Sequence, residues 1–365
     1  MKKKVNSIRF ALTFIGLLLL IFTLTACSHQ KSASHSNNKT DNKTVALVTD
    51  NNTINDHSYN YSAWQGLKQY GENNHLIQGN NGYQYFVTTS TTKAAIQTAI
   101  NKNFKTIFSI GPNLKTDISQ AAKDNPHHNF VIIDGTISHQ KNVASINFNN
   151  EQAAYLAGIV AAYTTKTNTI GFIGGEQNKA TLNYQTGFEL GIKAGAKKLH
   201  KNINFLNSYT DSFSKTAKAK ELTLNLINKK ADIIFQASGK SGTGVFQAVK
   251  LTNEAQPVNN KVFVIGVDTN QQQLGNYYAK GQQASNFTLT SVVKAMDQAV
   301  ANVAQDSLKG NFPGGKNLTY NLQNNGVYIT NSPNISNKAW DAAQKARLKI
   351  INGKIKIPST KNAAP

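Results

Sequence analysis

The sequence predicts an α/β protein of two doubly wound, parallel-sheet lobes joined by a hinge. Three features of the chain point there. From Thr44 onward, short β-branched or aromatic runs alternate with longer segments of helical period. The strand-type runs number ten, too many for one comfortable open sheet. Polar or glycine-rich stretches follow the carboxyl ends of these runs, where ligands bind in open parallel sheets. A (β/α)₈ barrel is the alternative architecture.

Taken in order, the first series of strands is Val45–Thr49, Tyr83–Val87, Thr106–Ile110, Asn129–Ile133 and Val143–Phe148. The second is Thr169–Ile173, Ile203–Tyr209, Asp232–Ala237, Val262–Val267 and Gln283–Thr288. Helical segments lie between them: 58–70, 92–101, 150–164, 181–199, 214–228, 242–253 and 291–308. In the last, Val292, Val293, Met296, Ala299, Val300 and Val303 form one apolar stripe. The series breaks near Phe148. The expected lobes are residues 44–148 with a return segment near 289–322, and residues 149–288 with 323–358.

The chain begins differently. Lys2, Lys3, Lys4 and Arg9 precede an apolar run from Phe10 to Leu24, and Leu24-Thr25-Ala26 leads to Cys27, the single cysteine. This is a secretory signal over residues 1–26. The run is short of the roughly 20 residues a bilayer span needs. The cysteine after the Leu-Thr-Ala triplet resembles a bacterial lipoprotein signal, which implies cleavage before Cys27 and lipid, palmitate included, on that residue. Residues 27–43 then read as a polar tether without apolar periodicity. The expected location is the extracytoplasmic face of the cell membrane. With no second cysteine, an internal disulfide and a cysteine-based metal or redox site are excluded.

The net charge is +21. The basic residues are scattered lysines rather than an arginine-rich stripe, and arginine occurs at Arg9 and Arg347 alone. This favours a solvated surface among anionic lipid heads and wall polymers over nucleic-acid binding.

Candidate binding chemistry gathers at strand ends. Asp50, Asp134 and Asp268 each follow a strong hydrophobic strand. Each is either a cap for the next helix or a carboxylate facing a shared cleft. Ser58 is a plausible N-cap. Gly239-Lys240-Ser241-Gly242-Thr243-Gly244 lacks the GxxxxGK[ST] spacing and reads as a glycine-rich helix start open to close approach by a ligand. HExxH and GxSxG are absent, the histidines fall in loops or near helix ends, and Glu151 and Glu189 read as solvated or locally paired helix positions. No enzyme, cofactor or metal is expected.

Together these residues resemble the basic membrane protein family of lipoproteins, whose characterised members are purine-nucleoside-binding subunits of ABC importers. The resemblance rests on Val45–Asp50, Asn55–Asn60, Trp64–Leu67, Ile133–Gly135, Tyr155–Gly158, Ile170–Gly175, Ser241–Val245, Ile265–Asp268, Thr290–Lys294 and Ile351–Pro358. It implies a fold of the type I periplasmic-binding-protein class. It also implies ligand contacts at Asp50, Asn51, Asp134, Gly242, Asp268 and Lys294. Tyr59 and Phe235 become the faces of an aromatic sandwich, and Tyr184 stands where the family usually has Phe. Asn51-Asn52-Thr53 replaces a common glycine pair, and the stretch from Asp268 to Lys294 is longer than usual. The implied protein is a monomeric receptor that binds a purine nucleoside and passes it to a permease. The alternatives are a sugar or autoinducer receptor of the same fold and a surface adhesion or signalling lipoprotein.

Overall fold

A computed structural model describes residues 43–49 and 53–359. Cys27, Asp50 and Asn51 lie outside the described residues, as do the signal segment and most of the tether.

The first half of the chain runs β1 (Val45–Thr49), α1 (Tyr59–Asn73), β2 (Tyr83–Phe86), α2 (Thr92–Asn101), β3 (Thr106–Ile110), α3 (Lys115–Asp124), β4 (Asn129–Ile133) and β5 (Val143–Phe148). The second runs α4 (Asn150–Thr164), β6 (Thr169–Gly174), α5 (Lys179–Leu199), β7 (Asn204–Tyr209), α6 (Thr216–Asn228), β8 (Ile233–Ala237), α7 (Gly242–Glu254), β9 (Phe263–Asp268), β10 (Asn276–Tyr278), β11 (Ala284–Asn286) and β12 (Thr288–Lys294). The end comprises α8 (Met296–Leu308), β13 (Asn317–Tyr320), β14 (Val327–Ile329) and α9 (Asn337–Ile351).

Two six-stranded sheets result, ordered β2-β1-β3-β4-β5-β13 and β7-β6-β8-β9-β12-β14. All pairings are parallel except β12 with β14. The two open sheets replace the barrel alternative. Central strands such as β1 and β8 are buried along their whole length, as expected of parallel strands covered on both faces.

Glycine governs the tightest helix pair. A Cβ on Gly187 or Gly191 of α5 would stand 2.2 Å from the Glu151 carbonyl oxygen or 2.0 Å from that of Tyr155, both on α4. Gly158 of α4 meets the Phe188 carbonyl oxygen in the same way. This close approach holds the start of α5, with Tyr184, against the region between the sheets.

The chain passes between the sheets three times: at Asn149, at Ala295, and across 321–326. The three passages are tied together. Asn149 N donates to Tyr320 O (2.8 Å), Ala295 N to Gly326 O (2.9 Å), and Gly326 N to Asn321 O (2.8 Å).

Several expectations need correction. Residues 291–294 are strand, not helix. Thr288–Lys294 is buried throughout and pairs with β9, so Val292 and Val293 serve the second sheet. The return to the first sheet therefore begins after Lys294 rather than near 289. The expected strand at 283–288 is split: Ala284–Asn286 closes a small hairpin with β10, and Thr288 opens β12. Helices α3 and α9 and strands β13 and β14 were not expected. Among the described residues, no helix is long and apolar enough to cross a membrane.

Candidate functional site

Strand ends from both sheets meet around one cavity. Asp134 directly follows β4 and Asp268 ends β9. Both take left-handed backbone, with φ of 57° and 62°. That conformation costs an L-residue roughly 1–2 kcal/mol, and Asp tolerates it better than most. It turns each carboxylate out of its strand.

Lys294, the last residue of β12, lies between them. Its Nζ is 2.6 Å from Asp134 Oδ2 and 4.0 Å from Asp268 Oδ1. Three rings surround the same ammonium: Tyr59 at 4.9 Å, Phe148 at 5.5 Å and Tyr184 at 5.5 Å from centroid. Only 2 % of Lys294 is exposed, so these partners stand in for water around its ammonium. Each oxygen of Asp268 accepts one hydroxyl: Tyr184 donates to Oδ1 (3.0 Å) and Ser58 to Oδ2 (2.5 Å). Asp134 Oδ1 has no hydrogen-bond partner among the described residues.

Ser58 is therefore not the side-chain cap of α1. Asp56 is. Its carboxylate accepts from the backbone N–H groups of Ser58 (3.0 Å), Asn60 (2.9 Å) and Tyr61 (3.0 Å). Burial nonetheless raises its pKa, against the pull of those three donors and with a smaller push from Asp268. Burial also raises the Tyr184 hydroxyl well above the usual range, reinforced by Asp268 and Asp134, so it remains a donor.

The cavity measures about 80 Å³, below the 300–1,000 Å³ typical of ligand pockets. The two sides touch directly around it. Besides the Ser58–Asp268 and Asp134–Lys294 contacts, the His57 carbonyl accepts from Thr269 Oγ1 and Gln271 Nε2, each at 2.9 Å. This is a closed arrangement that must widen at the three passages to admit a ligand.

Tyr59, Asp134, Tyr184, Asp268 and Lys294 all line the cavity. Phe235 does not. It is fully buried in β8, edge-on to Tyr184 (5.9 Å) and Phe172 (5.5 Å), and 4.9 Å from Phe188. Its strand position points it into the core, where it buttresses Tyr184. Gly242 is also set back: a Cβ there would meet Gln236 Oε1 at 2.2 Å. Gly239 and Lys240, just before it, reach the cavity instead.

Beside Tyr184, a second aromatic residue lines the cavity from the second side, Phe213, which the sequence reading missed. It sits in the loop after β7, and the absent side chain of Gly175 makes room for its ring. A lone aromatic in Asp211-Ser212-Phe213-Ser214 was the available signal. Asp56, Asn113 and Asn178 were missed as well. Glu151, read as solvated or locally paired, is 3 % exposed. Burial lifts its pKa to about 7. Glu189 does pair locally, with Lys193 at 2.6 Å.

A cleft between two linked α/β lobes, lined by aromatic faces and strand-end carboxylates, defines a solute receptor. The chain belongs to the family described as Bmp, ABC transporter substrate-binding protein PnrA-like, whose model matches residues 43–361. This is a family of substrate-binding proteins, not of enzymes. An ABC transporter nucleoside-binding protein from Lactococcus lactis is 41% identical over 98% of this chain and 100% of its own length. A CD4+ T-cell-stimulating antigen of Listeria monocytogenes is 36% identical, covering 86% and 88%. Basic membrane protein A of Borreliella burgdorferi is 28% identical, covering 87% and 88%. In fold, the chain resembles an ABC transporter solute-binding protein from Aeropyrum pernix, with a TM-score of 0.74 at 19% identity over 87% and 94% of the two chains.

Proposed function

We propose that this protein binds a purine nucleoside between its lobes and delivers it to the permease of an ABC importer. In this reading it acts as a monomer on the extracytoplasmic face of the cell membrane, held by lipid on Cys27. The lobes are residues 44–148 with 296–320, and residues 149–294 with 321–358.

The observation that carries the ligand assignment is the pairing of Tyr59 and Phe213 on one cavity with a polar cluster beside them. A flat base suits two aromatic faces, each stack being worth roughly 1–3 kcal/mol. The sugar hydroxyls suit Asp134, whose Oδ1 is open, and Asp268. Asp50 and Asn51 complete the proposed polar set. Lys294 holds Asp134 in place through the 2.6 Å ion pair. The nucleoside-binding Lactococcus relative supports the same ligand class. Ligand contacts made from both lobes stabilise the closed form, which the permease then recognises.

The test is a thermal-shift panel of nucleosides, free bases, pentoses and hexoses. A ligand selective for the folded state adds about 2.7 kcal/mol of stability at a hundredfold excess over its Kd. Purine nucleosides should raise the melting temperature and sugars should not. A shift with sugars alone would replace the ligand class, and no shift at all would favour the adhesion reading.

A further inference from the structure

The charge of this protein is divided unevenly. Residues 44–148 and 296–320, which build the first lobe, carry 9 basic and 8 acidic residues. Residues 149–294 and 321–358, which build the second, carry 22 and 9. The first lobe is close to neutral and the second carries a net +13.

Part of that excess rims a groove of about 470 Å³ between α4, α5 and α9. Its rim holds Lys198 of α5 with Lys338, Lys345 and Lys349 of α9, against one carboxylate, Asp341. Among the described residues, none of these four lysines has a carboxylate within ion-pair distance. The floor is apolar: Tyr155, Ile159, Ala342, Ala346 and Ile355. Leu348 shares one face of α9 with Lys345 and Lys349, at i+3 and i+4 from Lys345, and is 57 % exposed.

A solvated polyanion would meet the ammonium groups and leave the floor and Leu348 in water. A phospholipid offers a phosphate to the rim and acyl carbons to the floor. We propose that this groove docks the second lobe on a membrane surface rich in anionic phospholipid. This inference is independent of the nucleoside cleft.

The test uses residues 40–365, which form one compact unit containing the whole core. Co-sedimentation is measured with phosphatidylglycerol vesicles and with phosphatidylcholine vesicles. Binding to the former and not the latter is expected. Each lysine at an anionic surface contributes roughly fivefold, so the triple variant Lys198→Glu/Lys345→Glu/Lys349→Glu should weaken binding about a hundredfold. The equally charged Lys215→Glu/Lys220→Glu/Lys229→Glu, around α6, should weaken it less than tenfold. Leu348→Ser/Ile355→Ser should lower vesicle binding and leave binding of soluble polyphosphate unchanged. Melting temperatures confirm folding, and the response to nucleosides should persist in every variant.

Absence of vesicle binding overturns the proposal. So does an equal loss in both triple variants, which would indicate diffuse attraction. Vesicle binding unaffected by Leu348→Ser/Ile355→Ser would also overturn it, in favour of a polyanionic polymer.

Discussion

Asp134 and Asp268 occupy equivalent places in two sheets of equivalent order, yet they do different work. Each follows or ends the fourth strand of its sheet, and each takes left-handed backbone. Asp134 receives an ammonium from the opposite lobe and keeps one oxygen open. Asp268 receives two hydroxyls, one from each lobe and one on each oxygen. A repeated architecture thus supplies two similar carboxylates, and neighbours from other elements divide their roles. In the proposed complex, Asp134 selects ligand hydroxyls while Asp268 couples closure to the first lobe through Ser58.

The largest test of this division is Lys294→Ala. Removing one partner of a buried ion pair typically costs about 3–5 kcal/mol. The loss should appear as a lower urea midpoint, and the double variant Lys294→Ala/Asp134→Asn should recover part of it. A loss below about 1 kcal/mol would show that Asp134 is not held by Lys294.

Phe235→Ala and Phe213→Ala sharpen the contrast between core and cleft. The first should destabilise the fold by about 3–5 kcal/mol, since a large buried ring leaves a cavity. The second should leave stability nearly unchanged and weaken nucleoside binding by about 1–3 kcal/mol, measured by calorimetry, with Tyr59→Ala behaving alike. The opposite pattern would return Phe235 to the binding site.

Glu151 provides a pH test in the second lobe. Its pKa rises from 4.5 unfolded to about 7 folded. Between those values the folded state holds more protons, so stability falls as pH rises from about 4.5 to 7 and is flat above. Glu151→Gln should remove that slope. At pH 8 it should exceed the parent by up to about 3 kcal/mol, and the gain should vanish near pH 4.5. Urea titrations at both pH values measure it, and an unchanged slope would place the titrating group elsewhere.

The smallest effect expected is that of Ser58→Ala. It deletes a hydrogen bond to a charged group, worth about 1.5–3 kcal/mol, but water can replace it once the lobes part. Small-angle scattering should show a more open ligand-free ensemble. An unchanged profile would mean that His57 with Thr269 and Gln271 suffices for closure.

Much of the fold was legible because buried parallel strands are written as continuous β-branched runs. β1, β3, β4 and β5 match their expected bounds. The reading failed where period was ambiguous. Val292 and Val293 continue the apolar stripe of α8 on paper, but their backbone groups pair with β9. Helix α9, with Ala339, Ala343 and Ala346 as its buried face, was passed over because small residues give a weak apolar signal.

The sequence by itself determined that strands and helices alternate, that the chain divides near Phe148, and that carboxylates stand at strand ends. These follow from local periodicity and from which residues turn a chain. The tertiary structure decided which aromatic residue faces the cavity. Phe213 and Phe235 carry the same ring, but one lies in a loop beside a glycine and the other in a strand buried on both faces. It also decided which carboxylate is free, because Lys294, Tyr184 and Ser58 reach the two aspartates from distant parts of the chain. Hydrogen bonds spanning 84 to 210 residues leave no local trace.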